Sequence, residues 1–320
     1  MKYQSLKMKL LNVILILQPN KKVKKMKKYT QNIKKFRDSN NGAVGIVVTI
    51  LLIGLFITVM TIVQTVYVPM WMAQKEAEHM EDIAQQFSML KYAIDTQLIN
   101  ENDIPISTSI KLGSKEMPFL PSSRSFGSLD VLSDEFILTI GSEMDTYSDF
   151  SVGIIKYSSR NAYFLDQSYI FEGGAVIMDQ NMGNVMAILP SFSVYLNPET
   201  NDINISFNVV NVSSIEDKIS VSGYGIYPIK TEFSSTMQPD LITNVNNLTI
   251  TTKYTNAWEI FFNRTLSQTY DFEYGTHYLI SENSDGLKIE FLDDYDGFVK
   301  KPNLFITIYN INAQVGPGWI

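Results

Sequence analysis

The sequence has no cysteine and only two histidines, His79 and His277, among its 320 residues. The absence of cysteine excludes disulfide bonds and thiolate metal sites. His79 has acidic neighbours in EAEHMED, which suggests a metal site, but a single solvated histidine on an exposed helix face is the simpler interpretation. No Ser-His-Asp arrangement, Gly-rich phosphate loop or HExxH motif occurs. We therefore predict that the protein is not an enzyme and has no cofactor.

Charged residues are missing between Asp38 and Lys75, and acidic residues are missing before Asp38. The run over residues 43–69, AVGIVVTILLIGLFITVMTIVQTVYVP, exceeds the roughly 20 apolar residues that cross a bilayer as a helix. Twelve of the 26 Lys and Arg precede it. Because basic residues stay on the cytoplasmic side of a first membrane helix, we predict a single-pass protein of the cell membrane, with a cytoplasmic N-terminus and an extracellular C-terminal domain.

The remainder of the chain is acidic. From Asp38 onward it carries 14 basic and 33 acidic residues, a net charge of −19. Phosphate binding needs clustered cations, so nucleic acid is excluded as an expected partner.

Residues 1–42 are predicted to be a basic cytoplasmic leader. Its apolar run, residues 10–17, is too short to span a bilayer, and lysines follow where a signal peptide would have its cleavage site. An over-extended start, with Met26 as the true initiator, is the alternative interpretation.

A basic stretch, the small residue Gly42 and an uninterrupted apolar helix follow one another in FRDSNNGAVGIVVTILLIGLF. This order resembles the class III signal peptide of archaeal type IV pilins and archaellins. VYVPMWMAQKEAEHMEDIAQQF and YIFEGGAVIMDQNMGNVMAILPSF are similar to further parts of a largely uncharacterised family of archaeal pilin-like surface proteins. The resemblance implies that a prepilin-type peptidase cuts between Gly42 and Ala43, although Val47 replaces the acidic residue of bacterial pilins at the fifth mature position. An uncleaved signal anchor has the same topology.

Small residues recur along the membrane run at Gly54, Thr58, Thr61 and Thr65. Their 4-3-4 spacing puts them on one narrow helix face, and such faces let membrane helices approach closely. Self-association through this face is one hypothesis. The other is that glycine and threonine are simply tolerated in lipid.

Pro69 interrupts helical hydrogen bonding and predicts a kink. Helical spacing resumes over residues 70–100, which we predict to form an amphipathic stalk helix with its apolar stripe against the following domain. The stripe consists of Met80, Ile83, Phe87, Leu90, Ile94 and Leu98.

Residues 101–320 contain about a dozen short runs, such as DEFILTIG and NISFNVVNV, that alternate apolar with polar residues. They predict an extracellular, antiparallel β-sandwich-like domain and an α+β fold overall. NAWEIFFNRTLSQ, residues 256–268, has helical spacing instead, and we predict one short helix there, with Asn256 as its N-cap.

FLDDYDGF places Asp293, Asp294 and Asp296 just before Gly297. Clustered carboxylates of this kind are a candidate calcium site outside the cell. The spacing departs from that of the EF-hand loop, and a tight turn is the alternative interpretation.

Four Asn-x-Ser/Thr sequons, at Asn204, Asn211, Asn247 and Asn263, are candidate glycosylation sites. About four would arise by chance in a sequence of this composition, so their number carries no weight.

Taken together, these features predict a type IV pilin-like cell-surface structural protein, a filament or minor pilin-type subunit. Its expected partners are the membrane, further copies of itself or other pilin-like subunits. The alternative is a single-span, membrane-anchored binding or adhesion module that does not polymerise.

Overall fold

The computed structural model describes residues 40–101, 103–120, 122–142, 147–197, 199–200, 202–215, 219–239, 241–269, 272–283, 286–292 and 301–316. The leader up to residue 39 lies outside these residues. Two compact units divide the chain, Met1–Tyr67 and Val68–Ile320.

The described part of the first unit is helical. It consists of α1 (Asn40–Ile62) and a π-helical segment, Val63–Tyr67. The helical stretch Val44–Asn100 includes an apolar window long enough to cross a membrane, and no part of that window is buried. The predicted helix of membrane-spanning length and composition is therefore present.

The π-helical segment ends at Tyr67, two residues before Pro69, which is the second residue of α2 (Val68–Asn100). A proline lacks the N–H of a helical residue, and its ring clashes with the carbonyl four positions earlier, which here belongs to Thr65. The wider turn of a π-helix separates these groups. The backbone thus accommodates Pro69 by a local widening and stays helical on both sides of it.

Helix α2 belongs to the second unit along its whole length. Five members of the predicted apolar stripe, from Met80 to Ile94, are buried, and Leu98 packs against the same core. The buried face extends further towards the N-terminus, through Val68, Met72 and Glu76. The stripe therefore packs against the domain, as predicted, and the helix is an integral part of that domain.

Apart from α2 and one short helix, the described second unit consists of fourteen strands in two sheets and their connections. The five-stranded sheet has the order β1-β10-β14-β8-β7. Its strands are β1 (Ile106–Lys111), β7 (Ser191–Leu196), β8 (Ile203–Ser214), β10 (Ile226–Met237) and β14 (Asn303–Val315). Neighbours are antiparallel except β14 and β8, which are parallel.

The nine-stranded sheet has the order β12-β13-β11-β2-β3-β4-β5-β6, and β9 shares one edge of β2 with β11. Its strands are β2 (Phe126–Ser142), β3 (Tyr147–Arg160), β4 (Gln167–Glu172), β5 (Ala175–Gln180), β6 (Gly183–Ile188), β9 (Ser220–Gly223), β11 (Val245–Thr251), β12 (Tyr278–Asn283) and β13 (Gly286–Phe291). All its neighbours are antiparallel. The predicted α+β class and antiparallel-rich domain are confirmed, with one parallel pair that was not predicted.

The long strands contribute to two hydrophobic cores through opposite faces. In β2, Phe136 and Leu138 enter the first core, whereas Leu129 and Val131 enter the second. Side chains alternate between faces along a strand, so a change from even to odd positions means a change of face. The pairing of β2 with β3 shifts register between Leu132 and Phe136, and this irregularity accompanies the change.

Strands β4 and β5 are covered on both faces. Ile170 and Ile177 enter the first core, and Phe171 and Val176 enter the second. The turn between these strands is the pair at positions 173 and 174, both glycines with positive φ (57° and 91°), as a tight two-residue hairpin requires. Burial on both faces explains why YIFEGGAVIM is continuously apolar rather than alternating.

The predicted short helix is present as α3 (Thr255–Ser267). The prediction that Asn256 is the N-cap of this helix is wrong. Tyr254 occupies the N-cap and makes no side-chain capping bond, while Asn256 lies inside the helix and donates from Nδ2 to the Asn184 carbonyl at 2.7 Å. Trp258 and the other apolar residues of α3 pack into the first core, so tertiary packing fixes the start of this helix.

Candidate functional site

On the small-residue face of α1 and the π-helical segment, each threonine hydroxyl donates a hydrogen bond to a backbone carbonyl of the preceding turn. Thr58 donates from Oγ1 to the Gly54 carbonyl and Thr61 to the Ile57 carbonyl, each at 2.8 Å, and Thr65 donates to the Thr61 carbonyl at 2.9 Å. A side chain added at Gly54 would meet nothing within 4 Å in the monomer. The face is thus open and needs no polar partner, and its role in helix packing stays a prediction.

Two predicted sites fall wholly or partly outside the described residues. The calcium candidate, Asp293, Asp294 and Asp296, lies outside them entirely. The backbone of Gly42 and Ala43 lies in the first turns of α1, but nothing is described of their side chains. Processing between these two residues stays a prediction. In the described ranges no group of three or more His, Cys, Asp or Glu side chains could hold a metal ion.

The four sequon asparagines differ in accessibility. Asn204 is buried, and its Oδ1 accepts a hydrogen bond from Asn303 at 3.2 Å. Asn211 accepts from the Gly153 N–H and donates to Asn310, both at 2.9 Å. These two side chains have structural roles in the folded domain, and burial makes Asn204 poorly accessible to a modifying enzyme. Asn211, Asn247 and Asn263 are each half-buried. Glycosylation itself stays a prediction.

His79 is buried, with 2% of its surface exposed, so its interpretation as a solvated residue is wrong. It lies on the same helix face as the apolar stripe. Its Nε2 is 3.3 Å from the Tyr157 hydroxyl, which donates to the Leu112 carbonyl at 3.0 Å. Burial and the nearby Lys111 ammonium lower the pKa of His79 to about 4. The imidazole is therefore neutral at physiological pH, and its buried Nδ1 has no hydrogen-bond partner.

Glu76 is fully buried and anchors α2 to the β3–β4 connection. Its carboxylate accepts three consecutive backbone N–H groups, from Ala162 at 3.1 Å, Tyr163 at 2.7 Å and Phe164 at 2.8 Å. Several N–H donors around one carboxylate offset the cost of burying its charge.

Removing this carboxylate by Glu76→Ala is expected to lower the free energy of unfolding by about 3 kcal/mol, because it leaves three N–H donors to find water in a half-buried loop. Chemical denaturation measures the loss. Glu78→Ala, on the exposed side of the same helix, is the matched control and should change stability by less than about 0.5 kcal/mol. Equal losses in the two variants would contradict the anchoring role.

An open cavity of about 600 Å³ lies beside the N-terminal half of α2. Lys75 donates to the Lys115 carbonyl at 2.7 Å, and Lys111 pairs with Asp82 at 3.6 Å. Three ammonium groups face two carboxylates, Asp82 and Glu78, so the lining charge is +1 while His79 is neutral. This local excess of positive charge favours an anionic ligand. The remaining lining residues are Gly113, Ser114, Tyr224, Gly225 and Ile226.

A second cavity, of about 390 Å³, lies beside the C-terminal half of α2. Lys91 is 8% exposed and donates to both carboxylate oxygens of Asp95 at 2.9 Å. The charge of this lysine is already balanced, and Leu98, Leu189 and Val210 make much of the remaining lining apolar. The cavity therefore presents no free charge that would select a ligand.

Among the acidic residues that the structure describes, Glu172, at the end of β4, has a pKa shifted far from its ordinary value. It is 1% exposed, and its Oε1 accepts hydrogen bonds from Trp258 Nε1 and Thr252 Oγ1, both at 2.8 Å. Burial raises its pKa to about 7, against the opposing effect of these two donors, and its Oε2 has no partner. The sequence carries a signal for this residue, since it is the one charge within the apolar run YIFEGGAVIM. That signal did not reveal its partners.

Comparison with models of protein families, with curated proteins and with solved structures gives no match. The function is therefore inferred from the apolar helix and from three polar groups: a buried carboxyl, a buried neutral imidazole and a lysine-lined cavity. The first two are closed to solvent, whereas the cavity is open to it and can meet a partner.

Proposed function

We propose that this chain is a type IV pilin-like cell-surface structural protein, a filament or minor pilin-type subunit with its β-rich domain outside the cell. The observation that supports this proposal is the exposure of α1. From Val44 to Ile62 its large apolar side chains lie at the surface of the isolated chain. A continuous apolar surface of this size is stable in lipid or against other apolar helices, and not in water.

The hydrogen bonding of α1 supports both environments. Since the hydroxyls of Thr58, Thr61 and Thr65 are bonded within the helix, lipid can be exchanged for a neighbouring helix without leaving an unpaired polar group. Assembly of copies would bury the surface that lipid first covers.

The first test of the proposal is N-terminal sequencing of the native membrane protein. Processing as a pilin removes the basic leader, so the sequence is expected to begin at Ala43. Gly42→Phe, which replaces the small residue before the cut, should retain the leader. An intact Lys-rich head in the wild-type protein would contradict processing.

The second test concerns the small face of α1. Gly54→Ile or Thr58→Ile puts a branched side chain where helices would pack closely, and is expected to abolish fibres seen by electron microscopy. Phe56→Ile, on the opposite side of α1, is the matched control and should leave fibres intact. Unchanged fibres in the first two variants would refute packing through this face.

The alternative function is a non-polymerising binding or adhesion module in the membrane. The open cavity near Lys75, Lys111 and Lys115 favours it, because such a cavity can receive an anionic group of a partner. A monomer in mild detergent, together with native cells that lack fibres, would select this alternative.

A further inference from the structure

We propose that the open cavity beside the N-terminal half of α2 binds a phosphate or sulfate ester, with the tetrahedral oxyanion among its lysines and the esterified group against Tyr224 and Ile226. The inference goes beyond the proposed function by naming the chemistry of a ligand. It does not depend on processing of the leader or on polymerisation, because every lining residue belongs to the second unit.

Three separate segments of the chain build the walls of the cavity. On α2, Lys75, His79 and Asp82 recur at helical spacing and so lie on one face. The second wall is the end of β1 with the residues that follow it, as far as Lys115. The third wall is the turn between β9 and β10, together with Ile226 at the start of β10. Each segment contributes different chemistry to one place.

Hydrogen bonds and a close backbone approach fix these walls relative to one another. The Leu112 N–H donates to the Gly225 carbonyl at 2.8 Å, which joins the second wall to the third. The Lys75 ammonium donates to the carbonyl at position 115, at 2.7 Å, which joins the first wall to the second. A Cβ at Gly113 would overlap the Ser125 carbonyl, so only glycine permits this approach. The cavity is therefore preformed, and a ligand has little to order when it binds.

The lysines of the lining supply hydrogen-bond donors and positive charge. The Lys75 ammonium has three N–H groups, of which the carbonyl of the second wall uses one. Lys111 lies 3.6 Å from the Asp82 carboxylate. Lys115 forms no ion pair with any residue that the structure describes. With a lining charge of +1, these donors select an anion whose oxygens accept hydrogen bonds.

Two buried polar side chains of the lining have unused hydrogen-bonding capacity. Ser114 is 2% exposed, and its hydroxyl pairs with that of Ser125 at 3.0 Å, so the two groups use one hydrogen between them and leave the other. His79 is buried to the same extent, and its Nδ1 has no partner. Buried polar groups in native proteins are nearly always paired. Unused capacity in the wall of an open cavity is therefore a second sign of a ligand site.

The kind of cation narrows the chemistry of the anion. Ammonium groups act as point charges, and several of them around one group suit the oxygens of a tetrahedral phosphate or sulfate. A planar carboxylate is matched best by the paired N–H groups of a guanidinium. No arginine is among the described lining residues, and Arg124, beside Tyr224, already makes two bonds to Glu116 at 2.7 and 2.8 Å. The lining therefore favours a tetrahedral oxyanion over a carboxylate.

The remaining lining selects an ester rather than a bare ion. The volume of about 600 Å³ exceeds what one phosphate fills and is in the range of cavities that hold small molecules. Tyr224 and Ile226 line it and are exposed, and Phe126 packs edge-on against Tyr224 with 6.2 Å between ring centroids. An aromatic wall of this kind packs against a ring or another apolar group. The ligand therefore carries such a group on its oxyanion.

Titration calorimetry of the full chain in a non-ionic detergent tests the site, with phenyl phosphate and phenyl sulfate as probes. Both esters are expected to bind to one site per chain. Benzoate has the ring and the charge of phenyl sulfate but a planar acid, and it should bind about fivefold more weakly. Inorganic phosphate and sulfate lack the ring and should also bind about fivefold more weakly than their esters. No binding of either ester at millimolar concentration would overturn the site.

The other ligands test the two parts of the assignment separately. Benzoate that binds as tightly as phenyl sulfate would overturn the selectivity for a tetrahedral group. Inorganic phosphate that binds as tightly as phenyl phosphate would overturn the ester. A phosphate ester loses its second proton at a pH of about 6, so at pH 8 phenyl phosphate should bind more tightly than the singly charged sulfate. The reverse order at pH 8 would assign the site to sulfate esters.

Substitutions of opposite charge separate binding from folding. Lys115→Gln removes a cation but leaves its backbone carbonyl in place, and it should weaken the binding of phenyl phosphate about fivefold. Asp82→Asn removes the carboxylate that faces Lys111 and should tighten binding about threefold, which a misfolded variant would not do. Lys253→Gln and Asp103→Asn make the same changes of charge at exposed positions outside the lining, and should bind like the wild type. Weaker binding by Asp82→Asn would overturn selection by charge.

The aromatic wall is tested at Tyr224. Tyr224→Ala should weaken the binding of phenyl phosphate about fivefold and leave that of inorganic phosphate unchanged, because only the ester reaches the ring. Tyr224→Phe keeps the ring and is the matched control, which should bind both ligands like the wild type. Equal losses for phenyl phosphate and inorganic phosphate in Tyr224→Ala would overturn the contact between this ring and the esterified group.

Discussion

Exchanging Glu172 for glutamine is expected to stabilise the folded protein by about 3 kcal/mol more at pH 8 than at pH 4. The folded-state pKa of Glu172 is raised from 4.5 to about 7, with burial as the main cause. A raised pKa means that the folded state binds the proton more tightly than the unfolded chain. The resulting stability is complete below pH 4.5 and is lost as the pH rises through 7. Glutamine has no proton to lose and so avoids this loss.

Denaturant unfolding of the full chain in detergent, repeated across this pH range, measures the effect. Glu135→Gln is the matched control, since Glu135 pairs with Lys253 at 2.6 Å and its side chain is 26% exposed. It removes the same charge from a partly exposed, ion-paired site and should not reproduce the pH dependence of Glu172→Gln. Curves for Glu172→Gln and the wild type that stay parallel from pH 4 to pH 8 would contradict an acid that folds in its neutral form.

The features that sequence predicted correctly are those set by local periodicity. The apolar length of α1, the stripe of α2 from Met80 to Ile94 and the spacing of Trp258 in α3 each follow from residues within a few turns of one another. The strand-rich part followed from alternation in the same way. These patterns need no knowledge of what lies across the core.

The features that sequence missed depend on partners far along the chain. The parallel pairing of β8 with β14 joins Asn204 to Asn303, 99 positions apart. The change of face within β2 depends on which core each half meets, and alternation alone does not specify it. The prediction of the N-cap of α3 failed for the same reason, because the Asn256 side chain donates to the Asn184 carbonyl rather than bonding to its own helix.

The polar residues of the candidate site show the same limit. EAEHMED has the composition of a solvated helix face, yet Glu76 and His79 point into the domain and Glu78 points out. Glu76 meets N–H groups 86 to 88 positions away, and Glu172 meets Trp258 86 positions away. For a residue at the edge of an apolar helix stripe, the sequence does not decide whether the side chain is buried or exposed until the facing strand is known.

The second large effect is expected from His79→Gln, which should retain at pH 4 about 3 kcal/mol of stability that the wild type loses on acidification from pH 7. Burial, with Lys111 as a second cause and Asp82 opposing, depresses the folded-state pKa of His79 from 6.5 to about 4. Stability from a depressed pKa is present above 6.5 and is lost as the pH falls through 4. Tyr157→Phe, which removes the facing hydroxyl but keeps the imidazole buried, should still show the loss.

His79 and Glu172 therefore act in opposite directions over the same range. Between pH 4.5 and pH 6.5 acidification costs about 1.4 kcal/mol per pH unit through His79 and returns about as much through Glu172. The joint contribution of the two residues to the stability of the wild type is therefore independent of pH in this range. In each single variant the stability has the pH dependence of the residue that remains. The difference in stability between the double variant and the wild type should again be independent of pH. The two sites lie in different cores, so their effects should add. A double variant that keeps the slope of either single variant would show that one of the two groups does not titrate as its burial requires.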